Sequence, residues 1–154
     1  MEFLLFMHIV GVVLFLGNII ITAFWKIQAD QTGNRELIHS AAKNVMLADF
    51  VFTIPGLLLI ITSGVWMAVR TGYLISGFNW LTLSLILFVL TGVLWAGVLL
   101  PLQRKMIRLS AQTEENEFNT EAYRRVSWLW MIFGTIATLL PILILYLMIG
   151  KGFF

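Results

Sequence analysis

The sequence predicts an all-α membrane protein: an antiparallel bundle of four transmembrane helices with the N and C termini outside. Three observations lead to this fold, namely the hydrophobic content, four long apolar stretches and an uneven distribution of basic residues. Hydrophobic residues make up 60% of the 154 residues and charged residues 12%, whereas a soluble domain is nearer half apolar and a quarter charged. A chain of this length is expected to form one domain, residues 1–154.

Four stretches satisfy the requirement of about 20 mostly apolar residues for a spanning helix. They cover approximately residues 3–25, 45–69, 78–102 and 126–149. The first is expected to remain as a helix rather than to be cleaved as a signal peptide, since it begins with Glu2 and lacks both basic residues and a small-x-small motif. The turn before the third stretch is short and contains Gly72 and Gly77, which predicts that helices two and three are antiparallel neighbours.

Basic residues indicate the orientation, because basic loops stay in the cytoplasm. Arg70 and Lys151 lie on one side, and the other eight lie in connections 26–44 and 103–125: Lys26, Arg35, Lys43, Arg104, Lys105, Arg108, Arg124 and Arg125. These two connections are therefore expected to be cytoplasmic, in the cytoplasmic membrane of a bacterium. Interfacial aromatic residues agree with this orientation, with Trp25, Trp128 and Trp130 at the inner surface and Trp66, Tyr73, Trp80 and Tyr146 at the outer one.

Small and polar residues recur at a spacing of three and four in each helix, as in a left-handed bundle. The four lines are His8, Gly11, Phe15, Asn18 and Thr22; Asp49, Thr53, Gly56, Ile60, Ser63, Met67 and Arg70; Ser84, Phe88, Thr91 and Trp95; and Ser127, Met131, Gly134, Thr138 and Pro141. Lipid cannot satisfy polar groups, so these lines should face the interior. Counting from the helix ends places His8 level with Ser63 and Ser84, and Asp49 level with Thr22, at two sites roughly 20 Å apart.

His8 is the first candidate for function, because an ionisable group inside a spanning helix is costly. It is interpreted as a histidine bonded to a serine across the interface, as a haem or metal ligand, or as a proton-transfer group. The other histidine, His39, lies in a loop, so a second haem ligand would be Met7, Met67 or a histidine of a partner chain. Cysteine is absent, which excludes disulfides and thiolate metal sites.

Asp49 is the second candidate, and Thr22 and Asn18 are expected to share its polar interior. If Asp49 is buried, it either binds a proton or needs a basic partner. The basic residues at a similar depth are Lys26, Arg124 and Arg125. The alternative is an aspartate solvated by lipid headgroups or favoured by a helix N-terminus. Pro55 and Pro141 are expected to kink their helices. We find no phosphate loop, zinc motif or catalytic triad.

The opening FLLFMHIVGVVLFLGN, the middle PGLLLIITSGVWMAVRTGYL and the stretch NWLTLSLILFVLTGVLW resemble domain-of-unknown-function family 2269, predicted integral membrane proteins. That family is similar to a wider group with copper-resistance D-type proteins and the haem-containing membrane protoporphyrinogen oxidase of bacteria. The resemblance implies a functional histidine in helix one, which is His8 here. The oxidase's lysine has no counterpart, because the corresponding stretch offers Leu83, Ser84 and Leu85.

Three functions follow as hypotheses. The first is a haem-b-binding or redox-linked membrane protein that uses His8, with haem b as cofactor and haem iron as the sole metal. The second is a non-catalytic structural or accessory subunit. The third is a small proton-coupled carrier that uses Asp49. The expected partners are the lipid bilayer and either further copies of the chain or a larger membrane complex. The net charge of +2 is too small and too dispersed to indicate nucleic acid, and catalysis by the chain itself is not expected.

Overall fold

The computed structural model describes residues 1–72, 78–111 and 120–150. These residues form four long helices, which are α1 (Glu2–Gln31), α2 (Arg35–Thr71), α3 (Trp80–Ser110) and α4 (Thr120–Gly150). Each is long and apolar enough to cross a membrane, and no strand occurs in the described part of the chain. The prediction of an all-α protein with four spanning helices is confirmed. Tyr73, Gly77, Lys151 and residues 112–119 of the third connection lie outside the described residues.

The helices contain 30, 37, 31 and 31 residues and extend beyond the predicted spans. Most of the extra turns come from the two connections expected to be polar loops, because residues 26–31 and 35–44 contain no proline or glycine to end a helix. The chain reverses at Gly33, which has a φ of 65°. Asn34 then caps α2 by accepting hydrogen bonds from the backbone N–H groups of Glu36 and Leu37. We call this end of the bundle the inner end and the end with Met1 the outer end.

Two turns of π-helix interrupt the middle helices, at Asp49–Thr53 in α2 and at Trp95–Leu99 in α3. Each ends two residues before a proline, Pro55 or Pro101. Proline lacks an N–H group and its ring crowds the preceding turn, and a widened turn accommodates both effects. The predicted interruption at Pro55 is thus a π turn within a continuous helix, while Pro141 lies inside an uninterrupted α4.

The four helices pack together closely at the inner end and separate into two pairs at the outer end. Helices α1 and α2 pack along their whole length, as do α3 and α4, and the inner halves of α2 and α3 also pack. No Cα atom of Ile54–Thr71 lies within 8 Å of one in Trp80–Leu94. Helices α2 and α3 were predicted to be neighbours, and their backbones are close together only in the inner half. At the outer end they touch through side chains, where Ala68 packs against Trp80 and Leu81.

The main apolar core lies at the inner half, where Met106, Tyr123, Val126 and Trp130 belong to one buried cluster. Two of the aromatic residues expected near the membrane surfaces, Trp130 and Trp80, are each only 8% exposed, so their rings pack inside the bundle rather than facing lipid. Met131 is misassigned, because it is exposed while Trp130 takes the inward position. Ser127 and Pro141 of the predicted line are buried, so the inward face of α4 is kept, with Trp130 and Ala137 inward in place of Met131 and Thr138.

Candidate functional site

One face of α1 carries polar side chains at three successive levels of the bundle. His8 lies near the outer end, Asn18 near the middle and Lys26 towards the inner end, on the face that also contains Gly11, Phe15 and Thr22. At 1.5 Å per residue, His8 and Asn18 are about 15 Å apart along the helix, and Asn18 and Lys26 about 12 Å. Each level contacts a different set of partner helices.

At the outer level, His8 Nδ1 lies 3.1 Å from Ser63 Oγ on α2. The Ser63 hydroxyl donates its hydrogen to the carbonyl oxygen of Leu59, and a hydroxyl has only one hydrogen to give. Ser63 therefore accepts from His8, which places the proton on Nδ1. The backbone carbonyl of Ile60 is a further hydrogen-bond partner of the His8 ring. Ser84, which counting placed at the same level, donates to the carbonyl of Trp80 at 2.7 Å.

If a haem were bound near the outer end of the bundle, His8 would be the described residue able to ligate its iron, through Nε2. A hydrogen bond from the other ring nitrogen is how proteins orient a ligating histidine. His39 lies at the inner end, where its Nδ1 is 2.9 Å from Ser110 Oγ. Among the described residues, no group of three or more His, Cys, Asp or Glu side chains surrounds a metal position. Met7 and Met67 are half-buried.

At the middle level, the carboxylate of Asp49 is 7% exposed and is held by three helices. Its Oδ1 accepts hydrogen bonds from Asn18 Nδ2 at 3.1 Å and Thr53 Oγ1 at 3.0 Å, and its Oδ2 accepts from Gln103 Nε2 at 3.3 Å. Asn18 Nδ2 also reaches Thr53 Oγ1 at 3.0 Å. Every one of these donors is neutral. We call these four residues the Asp49 cluster.

The Asp49 cluster contains no positive charge. Lys26, one of the basic partners considered for Asp49, bonds to Asp30 instead, and this is the one ion pair within residues 1–72, 78–111 and 120–150. Arg124 and Arg125, the other proposed partners, are exposed. An ionised Asp49 would therefore leave one uncompensated negative charge inside the bundle.

At the inner level, Lys26 is 1% exposed and joins α1 to α4. Its Nζ contacts Asp30 Oδ2 at 2.5 Å and donates to Ser127 Oγ. Ser127 and Tyr123 donate to the two oxygens of Asp30 at 2.7 and 2.8 Å. The ring of Trp130 lies 5.2 Å from Nζ, within cation–π distance. We call these five residues the Lys26 cluster, and it is a neutral unit overall.

A crevice of about 360 Å³ opens between α1 and α2 at the inner end. Its lining combines apolar and neutral polar side chains, namely Thr22, Trp25, Gln28, Ala29, Thr32, Leu37, Ser40, Ala41, Asn44, Val45 and Ala48. Two of them adjoin the Asp49 cluster: Ala48 precedes Asp49, and Thr22 Oγ1 donates to the carbonyl of Asn18 at 2.6 Å. None of the described lining residues is charged.

Residues 2–152 match the family described as predicted integral membrane protein (DUF2269). The chain belongs to this family. No curated protein and no solved structure matches it. The match does not extend to the copper-resistance D-type proteins or the protoporphyrinogen oxidase, so likeness to that wider group stays a prediction.

In this DUF2269 protein, sequence reasoning identified Asn18, Thr22, Asp49, Ser63 and Ser84 as interior polar residues, and all five are buried. It missed four residues that contact Asp49 or belong to the Lys26 cluster. These residues lie outside the predicted spans or off the predicted inward-facing lines, and they are Asp30, Gln103, Tyr123 and Trp130. A signal for Asp30 was present, because a lysine and an aspartate four residues apart face each other on a helix. Continuing the spacing of α3 past Trp95 leads to positions 98 and 102 and would have missed Gln103, because the π turn at Trp95–Leu99 moves the inward line by one residue.

Proposed function

We propose that this DUF2269 protein is a small proton-coupled carrier in which Asp49 binds and releases the transported proton. One observation carries the proposal: a buried carboxylate is surrounded by neutral donors from three helices and has no cationic partner among the residues that the structure describes. A charge in the middle of a membrane helix costs about 2.5–3.5 kcal/mol even on the lowest scales. An ionised Asp49 is therefore costly unless water or a cation reaches it.

The architecture around Asp49 supports this proposal. Asp49 begins the π turn of α2, and Trp95, which begins the π turn of α3, lies beside its carboxylate. Below this level α2 and α3 pack together, and above it their backbones separate. Widened turns are frequent at functional sites because they bend a helix without breaking it. The carboxylate thus lies where the two helix pairs diverge, which suits a site that faces each side of the membrane in turn.

The test is proton uptake by liposomes that contain the purified protein, an internal pH dye and a trapped mixture of small cationic, anionic and neutral solutes, whose outward gradients supply the solute that a coupled carrier exchanges for protons. We expect uptake above that of empty liposomes, its loss in Asp49→Asn, and wild-type uptake in Glu36→Gln. Glu36 is the matched control because it is an exposed carboxylate on the same helix. Equal uptake in Asp49→Asn and wild type, or no uptake above empty liposomes, would favour a structural or accessory subunit instead.

The second candidate is a haem-b protein that uses His8. The observation in its favour is that Ser63 donates to Leu59 and so accepts from Nδ1 of His8, because an imidazole with its proton on Nδ1 binds a metal through Nε2. A bound haem would supply one-electron chemistry, and His8 would be the residue that holds its iron. Ser63 would fix the orientation of the imidazole ring.

The haem candidate is tested by the absorption spectrum of protein purified from haem-sufficient cells, with and without dithionite. His8→Ala should abolish the Soret band, while His39→Ala, the only other histidine change that the chain offers, should keep it. A colourless wild-type protein, or a band that persists in His8→Ala, excludes His8 as the ligand.

A further inference from the structure

We infer that the crevice between α1 and α2 binds a small organic cation with an apolar body, whose charge pairs with Asp49 in exchange for a proton. The inference rests on the proposed carrier function and adds the substrate class. It is drawn from three features: the charge of the Asp49 cluster, the chemistry of the crevice wall and the position of the crevice next to Asp49.

The charge of the Asp49 cluster determines which sign of charge a ligand must carry. An ionised Asp49 carries one negative charge, and its neighbours Asn18, Thr53 and Gln103 carry none. The charged residues of the adjoining helix segments are either exposed or already paired: Lys43, Arg104, Lys105, Arg124 and Arg125 are exposed, and Lys26 bonds to Asp30. A cation compensates the charge of Asp49, whereas an anion adds to it.

The residues that line the crevice indicate the size and polarity of the uncharged part of the ligand. A volume of about 360 Å³ lies at the lower end of the range for small-molecule pockets, about 300–1,000 Å³. The apolar part of the wall includes Trp25, Ala41 and Val45, and the neutral polar part includes Gln28 and Asn44. A wall of this kind suits an apolar or aromatic body, and the Trp25 ring is a favourable surface for a cation.

The position of the crevice connects it to the carboxylate. Thr22 and Ala48 line the crevice and adjoin the Asp49 cluster, so their side chains separate the crevice from the carboxylate of Asp49. Both side chains are small, and the π turn of α2 begins at the residue after Ala48. A local change at this turn would bring the charge of the ligand to the carboxylate.

The charge balance of the exchange is simple. When the cation pairs with Asp49, the carboxyl proton is released, and the net charge of the occupied site stays at zero. Binding should therefore release one proton per cation, and the affinity should fall as the pH is lowered because protons compete for the same carboxylate.

The experiment uses benzyltrimethylammonium as the probe and neopentylbenzene, which has the same shape without the charge, as its control. Binding to the full chain in detergent is followed by titration calorimetry, and proton release by a pH dye in weak buffer. We expect the cation to bind with proton release and Asp49→Asn to weaken it at least about tenfold, which is about 1.4 kcal/mol. The neutral compound should bind wild type and Asp49→Asn equally.

A second variant tests the location. Ala41→Leu fills the crevice and should weaken both compounds, whereas Thr135→Leu on the exposed side of α4 should weaken neither. Circular dichroism spectra of all variants establish that they are folded. Failure of Ala41→Leu to weaken binding would overturn the crevice as the site.

The outcomes separate the two proposals. If proton uptake depends on Asp49 but the cation does not bind, or binds no better than neopentylbenzene, the cation inference fails and the carrier proposal stands. If Asp49→Asn changes neither uptake nor binding, both fail.

Discussion

The carbonyl oxygen of Gly56 lies 2.9 Å from the position that a Cβ atom on Gly11 would occupy. The reverse distance, from a Cβ on Gly56 to the carbonyl of Gly11, would be 3.0 Å. Helices α1 and α2 are therefore in backbone contact, as membrane helices with small interfacial residues often are. This contact holds Asn18 close enough to Asp49 for a direct hydrogen bond.

We predict that Gly11→Ala destabilises the bundle by about 1–3 kcal/mol, because the added methyl group meets backbone that cannot move aside. Gly17→Ala on the same helix is the control, since no atom lies within 4 Å of its added Cβ. It should leave stability unchanged or raise it by up to about 1 kcal/mol through helix propensity. Equilibrium unfolding with sodium dodecyl sulfate in mixed micelles measures both. Equal stability of the two variants would show that the helices are further apart.

The second prediction concerns the stability role of Asp49. Asp49→Asn keeps an oxygen for Asn18 and Thr53, and Gln103 can turn its amide to present an oxygen, so the cost should be about 1 kcal/mol. Asp49→Leu leaves Thr53 and Gln103 without this acceptor, while Asn18 keeps Thr53 Oγ1, and it should cost about 3 kcal/mol. The same unfolding assay measures both variants. A cost for Asp49→Asn as large as for Asp49→Leu would mean that the negative charge itself stabilises the fold.

The sequence predicted the parts of the structure that depend on local pattern. Lipid imposes long apolar helices, and the small and polar residues among them mark the face of α1 that carries Asn18. The Lys26 cluster was not predictable in this way. Lys26 was assigned to a loop because charge normally ends a membrane segment, yet the helix continues and its partner Ser127 is 101 residues away. Such distant pairing leaves no periodic signal in one helix.

The orientation of the chain is a third prediction, and it rests on the distribution of basic residues. Reporter fusions after Gln31 and after Glu115, a position outside the described residues, should be active in the cytoplasm. A fusion at the C terminus should be active on the opposite side. A cytoplasmic C terminus would refute the predicted orientation.

The last prediction concerns the Lys26 cluster, which joins the first helix to the last. Lys26→Met removes the cation and leaves the Asp30 carboxylate with only Tyr123 and Ser127 as donors. Breaking a buried pair by removing one partner typically costs about 3–5 kcal/mol, and we expect a value near 3 because Asp30 is 23% exposed. Lys43→Met, a change at an exposed lysine, should cost less than about 0.5 kcal/mol.

The double variant Lys26→Met with Asp30→Asn decides whether the loss comes from an unpaired charge. It removes both charges and keeps an oxygen near Tyr123 and Ser127, so it should recover at least half of the stability that Lys26→Met loses. Unfolding in mixed micelles at two salt concentrations measures the stability of the wild type, the single variant and the double variant. The stability that a buried pair contributes should depend little on salt, because a buried pair is poorly screened. If the double variant is less stable than Lys26→Met, the aliphatic chain of Lys26 and its contact with Trp130 account for the loss. If Lys26→Met is as stable as Lys43→Met, the cluster does not hold α1 against α4.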